Sequence, residues 1–211
     1  MEDVALELKK EIISPSLLSL LESLMKEESL ESFFLVGGTA LALILGHRKS
    51  VDIDLFTTQM FDSQLLLRSL EQKFGLTNTS HEKNTISGYI DNIKVEFLTH
   101  EYDLIEPISV IDGIRIAGLK ELAALKLNAI AGRGSRKDFW DISSLLDYYS
   151  IDEMIGFFEK KYPSANIWHL IRSLTYFTDA DKEEIEIAST KDISWEQVKT
   201  KILNALRDYQ R

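Results

Sequence analysis

Three acids on strand-like segments make the first case for chemistry. Asp52 and Asp54 stand two apart in residues 51–56, VDIDLF, where Val51, Ile53 and Leu55 alternate with Asp52, Asp54 and Phe56. Residues two apart on an extended chain share a face, roughly 6–7 Å from one another. Two carboxylates so placed can converge on one divalent ion. Glu96 is the third acid, in residues 92–98, where Ile93, Val95 and Phe97 alternate with Lys94, Glu96 and Leu98. A carboxylate among apolar strand residues is costly if buried and unpaired. A metal shared with Asp52 and Asp54 removes that cost, and so does an exposed face on which Lys94 and Glu96 meet solvent. Hard oxygen donors of this kind suit Mg2+ or Mn2+ and leave positions for phosphate oxygens.

A second group of residues suits phosphate. Gly37 and Gly38 end the apolar run Phe33-Phe34-Leu35-Val36 and open residues 39–45, TALALIL. Glycine lets backbone approach a phosphate closely, and a helix N-terminus attracts anions. Thr39 adds a hydroxyl there. Without a ligand the same residues make a plain strand-to-helix turn. Arg48 and Ser50 lie between that turn and the paired aspartates, with Arg48 placed to meet a phosphate, although a lone arginine is more often a surface residue. Further on, helical spacing puts Lys126, Ile130 and Arg133 on adjacent turns of one side, and Asp138 and Asp141, three apart, on one face of the next helix. Cationic donors stabilise a triphosphate and the charge that gathers on a transferring phosphoryl group. Asp138 also suits a helix start, three residues after Ser135. Lys137, beside Arg136, fits either a phosphate contact or a solvated loop.

The elements that must position these residues follow from periodicity and turn chemistry. Residues 1–29 read as a short helix, a break and a second helix opened by Ser14-Pro15. A buried strand at 33–36 leads into the short helix 39–45, which ends at Gly46. Residues 51–56 form a strand and 61–74 a helix. Short strands follow at 77–80, 85–90 and 92–98, with Asp91-Asn92 as a tight hairpin turn. Another strand pair surrounds Asp112-Gly113 within 109–116. From 117 onwards the pattern is helical: 118–131, a helix opened by Ser135, 151–160, 165–178, and a last helix from 195 to about 209 opened by Ser194 and Gln197. Residues 179–192 are acidic and read as a loop or short helix. Trp140, Trp168 and Trp195 fit packing positions, and His47, His81, His100 and His169 show no metal-ligand spacing. The fold class is α+β, with an α/β region at about 30–116 and a helical region after it.

Composition narrows the function. The 211 residues are 45% hydrophobic and 27% charged, as in an ordinary globular protein. With no cysteine, disulfides, thiolate metal sites and a cysteine nucleophile are excluded. No apolar run has the length of a membrane span, and residues 1–12 are too charged for a secretory signal, so a cytoplasmic location without membrane attachment is expected. The net charge of −10 repels nucleic acid on average. An RNA partner would need a local basic strip, which Lys120, Arg133, Arg136 and Lys137 could supply.

Residues 35–56, LVGGTALALILGHRKSVDIDLF, closely resemble the opening motif of the nucleotidyltransferase AbiEii/AbiGii toxin family, within the polymerase-β-like nucleotidyltransferase superfamily. The shared pattern is a Gly-Gly turn, a short helix and a D-x-D strand, linked here through Gly46, His47, Arg48 and Ser50. A second block, residues 126–141, KLNAIAGRGSRKDFWD, matches through Lys126, Arg133, Lys137, Asp138 and Asp141. The likeness spans roughly residues 30–180. It implies a polymerase-β-like core with a small mixed sheet at 1–116 and a helical C-terminal region at 117–211 that completes the active-site cleft. It further implies transfer of a nucleotide from a nucleoside triphosphate to an acceptor hydroxyl. Asp52, Asp54 and Glu96, a glutamate where many superfamily members have aspartate, would hold Mg2+ or Mn2+. Gly37, Gly38, Thr39, Arg48, Ser50 and Lys126 would hold the phosphates, with Arg133, Lys137, Asp138 and Asp141 completing the nucleotide site. The acceptor implied is the 3′ end of tRNA or a protein hydroxyl, and the protein would be a toxin with a cognate antitoxin or part of a phage-defence pair. Two alternatives stand beside this reading: a binding module that has lost catalysis, and an antibiotic-type enzyme acting on a small molecule.

Overall fold

The computed structural model describes residues 7–184, 187–190 and 192–209. The chain divides into two compact units. One comprises Met1–Ile44, Ser50–Asp103 and Ile108–Ala117, and the other Leu45–Lys49, Leu104–Pro107 and Gly118–Arg211. The second unit thus draws in two short segments that a single cut at residue 117 would assign to the first.

The first unit is built on a mixed sheet of seven strands among the described residues: β1 Phe34–Val36, β2 Ile53–Thr57, β3 Thr77–Glu82, β4 Thr85–Ile90, β5 Ile93–Thr99, β6 Ser109–Ile111 and β7 Ile114–Ile116. Their order across the sheet is β3-β4-β5-β2-β1-β7-β6. Two tight turns fix the hairpin registers. Asp91 and Asn92 have φ of 50° and 64°, and Asp112 and Gly113 have 51° and 80°. Positive φ at both turn positions matches the twist of the flanking strands and favours Asn, Asp and Gly. The strand centres bury Leu35, Ile53, Leu55, Val95 and Phe97 almost completely. Each such side chain contributes about 1.5–3 kcal/mol.

Three helices belong largely to this unit: α1 Pro15–Met25, α2 Gly37–Leu45 and α3 Ser63–Phe74. The Ser14 hydroxyl accepts from the Leu17 amide at 3.2 Å, and Pro15 sits in the first turn, where its missing N–H costs nothing. The Asp62 carboxylate caps α3 by accepting from Gln64 and Leu65 amides at 3.0 Å. Of the short helix expected at the start of the chain, residues 1–6 lie outside the described residues, and Lys10–Ile12 forms a single 3-10 turn. The Arg115 guanidinium ties β7 to three carbonyls, of Phe33, Met25 and Leu30, at 2.7–2.9 Å.

The second unit is helical: α4 Leu119–Gly132, α5 Arg136–Leu145, α6 Ile151–Lys161, α7 Ile167–Leu174, α8 Thr178–Asp181 and α9 Trp195–Arg207. Capping boxes at Ser135–Asp138, Ser150–Glu153 and Ser194–Gln197 open three of them. Helix α4 packs against α5, α6 and α7, and α5 against α9. A buried pair, Lys161 with Glu121 at 2.5 Å, links α6 to α4. The other Glu121 oxygen accepts from the Ile105 amide at 3.0 Å, which holds residues 104–107 in this unit.

Three expectations need correction. The helix expected at 165–178 spans only Ile167–Leu174, and α8 begins at Thr178; past the end of α7 the Thr175 amide and hydroxyl both donate to the Arg172 carbonyl, at 3.2 and 2.9 Å. Residues 179–192 are neither one loop nor one helix: α8 covers the start, and 187–190 run back along 47–49, with Lys49 N to Ala188 O at 2.9 Å and Thr190 N to His47 O at 3.0 Å. Residues 185, 186 and 191 lie outside the described residues. Trp140 and Trp195 pack together with Phe139 and Phe177, whereas Trp168 is 76% exposed. No helix among the described residues is long and apolar enough to cross a membrane.

Candidate functional site

The acids of the first unit sit on and beside two neighbouring parallel strands. Asp54 on β2 stands opposite Glu96 on β5, with Ile53 opposite Val95. The apolar partners face the core and the carboxylates share the other face, where each of Asp52, Asp54 and Glu96 is half-buried. The strand starts later than its alternation suggests. Val51 is 62% exposed and Asp52 precedes the first paired residue, because the ladder to β5 begins at Ile53. Asp52 is held from behind instead. The buried Thr39 hydroxyl donates to the Asp52 carbonyl and lies 2.9 Å from the Ser50 hydroxyl. Thr39 and Ser50, both expected to hold phosphate, are therefore engaged in shaping the approach to Asp52.

Gly37 is fixed by its surroundings. It has φ of +72°, and a Cβ there would fall 2.1 Å from the Asp54 Oδ2. Neither the backbone conformation nor the space admits a side chain. Since Val36 pairs with Asp54 across β1 and β2, the first residues of α2 are brought against the Asp54 carboxylate. Gly38 follows as the second residue of α2 and is half-buried.

Glu96 carries a partner that sequence reasoning weighed only as a solvated neighbour. Lys94 Nζ lies 2.5 Å from Glu96 Oε1. That hydrogen bond, with the nearby charges of Glu96, Asp52 and Asp54, holds the Lys94 ammonium above the usual lysine range. Among the described residues, no group of three or more His, Asp or Glu side chains is gathered closely enough to hold an ion. The donors are nevertheless of the right kind. Carboxylate oxygens are hard ligands, Asp52 has no hydrogen bond or ion pair to its carboxylate among the described residues, and the local charge already draws in a cation. Asp52, Asp54 and Glu96 thus supply oxygen donors of the kind Mg2+ or Mn2+ takes, and Glu96 is hydrogen-bonded to Lys94.

The second unit gathers a different set. Asp141, fully buried, is at the centre of four contacts. Its Oδ1 accepts from Arg48 Nε at 2.6 Å and lies 2.7 Å from His47 Nε2, and its Oδ2 accepts from Arg48 Nη2 at 2.8 Å and pairs with Lys126 Nζ at 2.8 Å. Asp138 completes the group. One oxygen is 2.9 Å from Lys126 Nζ and the other closes the capping box with Ser135. Burial pushes the Asp141 carboxyl up, but Lys126 and Arg48 outweigh it and hold it well below the usual carboxylate range. Burial likewise pushes the Lys126 ammonium down, and Asp141 and Asp138 more than offset that, raising it above the ordinary lysine value. His47 Nδ1 is buried and has no hydrogen-bond partner among the described residues.

Several expected positions are thus relocated. Arg48 is not the surface residue a lone arginine usually is; it is 3% exposed and clasped by Asp141. Arg136 is spent on the carbonyls of Ala180 and Asp181 at 3.0 Å and lies over the Trp195 ring, so the expected basic strip is interrupted. Arg133 follows the last residue of α4, exposed, and lines an open cavity of about 400 Å³ with His169, Arg172 and Tyr176. That cavity includes none of Lys126, Asp138 and Asp141. Lys137 is half-buried on α5. His47 was missed because nothing local marks a histidine whose partner is 94 residues away.

Comparison with known proteins gives one family and three similar proteins. The family described as nucleotidyl transferase AbiEii toxin, Type IV TA system, matches residues 19–88. Uncharacterized protein aq_aa25 of Aquifex aeolicus (strain VF5) is 37% identical over 199 residues, covering 89% of this chain and 94% of its own. JHP933 of Helicobacter pylori shares the fold with a TM-score of 0.53 at 16% identity, over 94% of this chain and 88% of its own. A provisionally assigned nucleotidyltransferase from the same organism shares it at 0.54 and 14%, over 94% and 91%.

Proposed function

The chain belongs to the AbiEii nucleotidyltransferase toxin family, and we propose that it moves a nucleoside monophosphate from a nucleoside triphosphate to an acceptor hydroxyl at the acidic face of β2 and β5. The acceptor oxygen forms a bond to the α-phosphorus, the bond from that phosphorus to the β-phosphate oxygen breaks, pyrophosphate leaves and the hydroxyl proton is released. Asp52 and Asp54, with Glu96 as the third carboxylate, would hold Mg2+ or Mn2+. When bound, the ion supplies Lewis-acid stabilisation of phosphate charge and lowers the cost of deprotonating the hydroxyl.

The observation that carries this reading is the contact between Gly37 and Asp54. A helix N-terminus with its first residues stripped of side chain lies against a carboxylate that has a second carboxylate nearby. Amides at the start of α2, with Gly37 and Gly38, would receive phosphate oxygens. Thr39 and Ser50 would act one step back, keeping Asp52 in place through its carbonyl. Lys126, kept charged by Asp138 and Asp141, is retained as a phosphate contact on the family resemblance, with Arg48 fixing Asp141. Lys137 and Arg133 keep the nucleotide-binding role that the resemblance gives them. The family description is that of a toxin in a type IV toxin–antitoxin system, which supports a cognate antitoxin as partner; the acceptor we propose is the 3′ end of tRNA or a protein hydroxyl, and the location the cytoplasm.

The test is a transfer assay with each α-labelled nucleoside triphosphate, Mg2+, total cellular RNA and protein, beside Asp54→Ala. Label in RNA or protein that vanishes in the variant is the expected result and names the acceptor class. No label, together with no Mg2+-dependent nucleotide binding, would leave a binding module on this fold.

A further inference from the structure

Helix α7 carries rings and charge that the proposed reaction leaves unused. Trp168, 76% exposed, is the most exposed large hydrophobic side chain among the described residues. Arg172 lies four residues on along the helix and so shares its face. Tyr176, four further on in the turn after α7, is 52% exposed and lines the same cavity as Arg172. Arg133, at the end of α4, meets them there. His169 Nε2 donates to the Ala131 carbonyl at 2.9 Å, which ties α7 to the last turn of α4. The two guanidiniums thereby share one open cavity of about 400 Å³.

Charge decides what this face fits. The chain carries a net charge of −10, yet Arg133 and Arg172 are exposed and have no acid partner among the described residues. Asp179, the one acid of the lining, pairs with Lys182 at 3.5 Å. Guanidiniums match phosphate oxygens two at a time. A ring on either side of one offers flat faces to bases. The sequence of ring, cation and ring through Trp168, Arg172 and Tyr176 fits a strand whose bases are free to stack on protein, not a duplex whose bases stack on one another. An acidic peptide would meet the arginines and leave the rings unused. We propose that this face holds single-stranded RNA, the acceptor strand of the proposed transfer, with backbone phosphates on Arg133 and Arg172 and bases on Trp168 and Tyr176. It rests on that reaction only in calling the strand an acceptor, since binding here needs no transfer. Arg172 and the two rings supply what the expected basic strip lost when Arg136 turned to the carbonyls of Ala180 and Asp181.

The experiment follows the anisotropy of a labelled mixed-sequence RNA of about 12 nucleotides on the full chain, across a salt series and beside the matching duplex. The single strand should bind more tightly than the duplex. Trp168→Ala should weaken it about 5–100-fold, the loss of one stacked base, and Trp168→Phe should restore most of the binding. Arg172→Ala should reduce the salt slope by about 0.7, one phosphate contact on a single strand. Both alanine variants should keep Mg2+-dependent binding of nucleoside triphosphate. Tighter binding of the duplex, or RNA binding that Trp168→Ala and Arg172→Ala leave unchanged, would overturn the proposal while the transfer reaction stands. Binding of a polyglutamate peptide in place of RNA would overturn it in the same way. RNA bound as described, with no label transferred to any acceptor, would instead remove the transfer reaction and leave the RNA-binding face standing.

Discussion

The acidic face of β2 and β5 and the buried cluster around Asp141 use the same residue types in opposite states. On the sheet, Asp52, Asp54 and Glu96 remain half-buried and gather their negative charges around the Lys94 ammonium. In the helical unit, Arg48 and Lys126 balance Asp138 and Asp141, and Asp141 has no exposed surface. A cluster that satisfies itself holds helices in place. A half-buried cluster stays within reach of an ion or ligand in solution. Sequence spacing alone did not separate the two, since both read as acids and bases at functional intervals.

The sharpest way to break this contrast is to remove one carboxylate from each side. Asp141→Ala leaves Arg48 and Lys126 buried without their main partner, and loss of one member of a buried pair costs about 3–5 kcal/mol. Chemical denaturation should show that loss, and a loss below about 1 kcal/mol would mean the cluster is not structural. Asp54→Ala should behave in the opposite way. Nucleotide transfer should fall by about 10²–10³-fold, the range for losing one transition-state stabilising group, while the unfolding midpoint stays level or rises as like-charge repulsion is relieved. A protein that loses stability as well as activity would put Asp54 among the structural residues.

Gly37→Ala tests the link between helix and acid. A methyl group in the Asp54 carboxylate and a non-glycine residue at φ of +72° should cost about 1–3 kcal/mol and weaken Mg2+-dependent nucleotide binding, measured by calorimetry. The smallest effect is expected from pH. The folded-state carboxyl of Asp141 lies below its unfolded value, so its contribution is present above about pH 4 and is lost as pH falls through the folded value. The Lys126 ammonium lies above its unfolded value, so its contribution is present below about pH 10 and is lost as pH rises through the folded value. Stability followed by circular dichroism should therefore be level between those limits, and in Asp141→Ala the acid limb should flatten.

Local chemistry was legible in the sequence and distant pairing was not. The turns Asp91-Asn92 and Asp112-Gly113, the cap at Ser14-Pro15 and the boxes at Ser135 and Ser194 each write their conformation within four residues. The two aspartates at 52 and 54 were visible for the same reason. Arg48 looked like a ligand contact because its partner, Asp141, lies 93 residues on, and no local pattern carries that information. Val51 was placed in the strand because alternation reads the same whether or not a neighbouring strand extends that far. Lys94 was seen as a solvated neighbour of Glu96, and only the folded sheet brings its ammonium within reach of the charges of Asp52 and Asp54.

The span between Arg48 and Asp141 also bears on how the protein is made. Residues 45–49 leave the ribosome long before the helix that satisfies them. At about 5–20 residues per second, Asp141 follows Arg48 by roughly 5–20 s, and during that time the segment cannot take up its final surroundings. A nascent chain halted before residue 141 should therefore hold residues 45–49 open to protease, however complete the sheet has become.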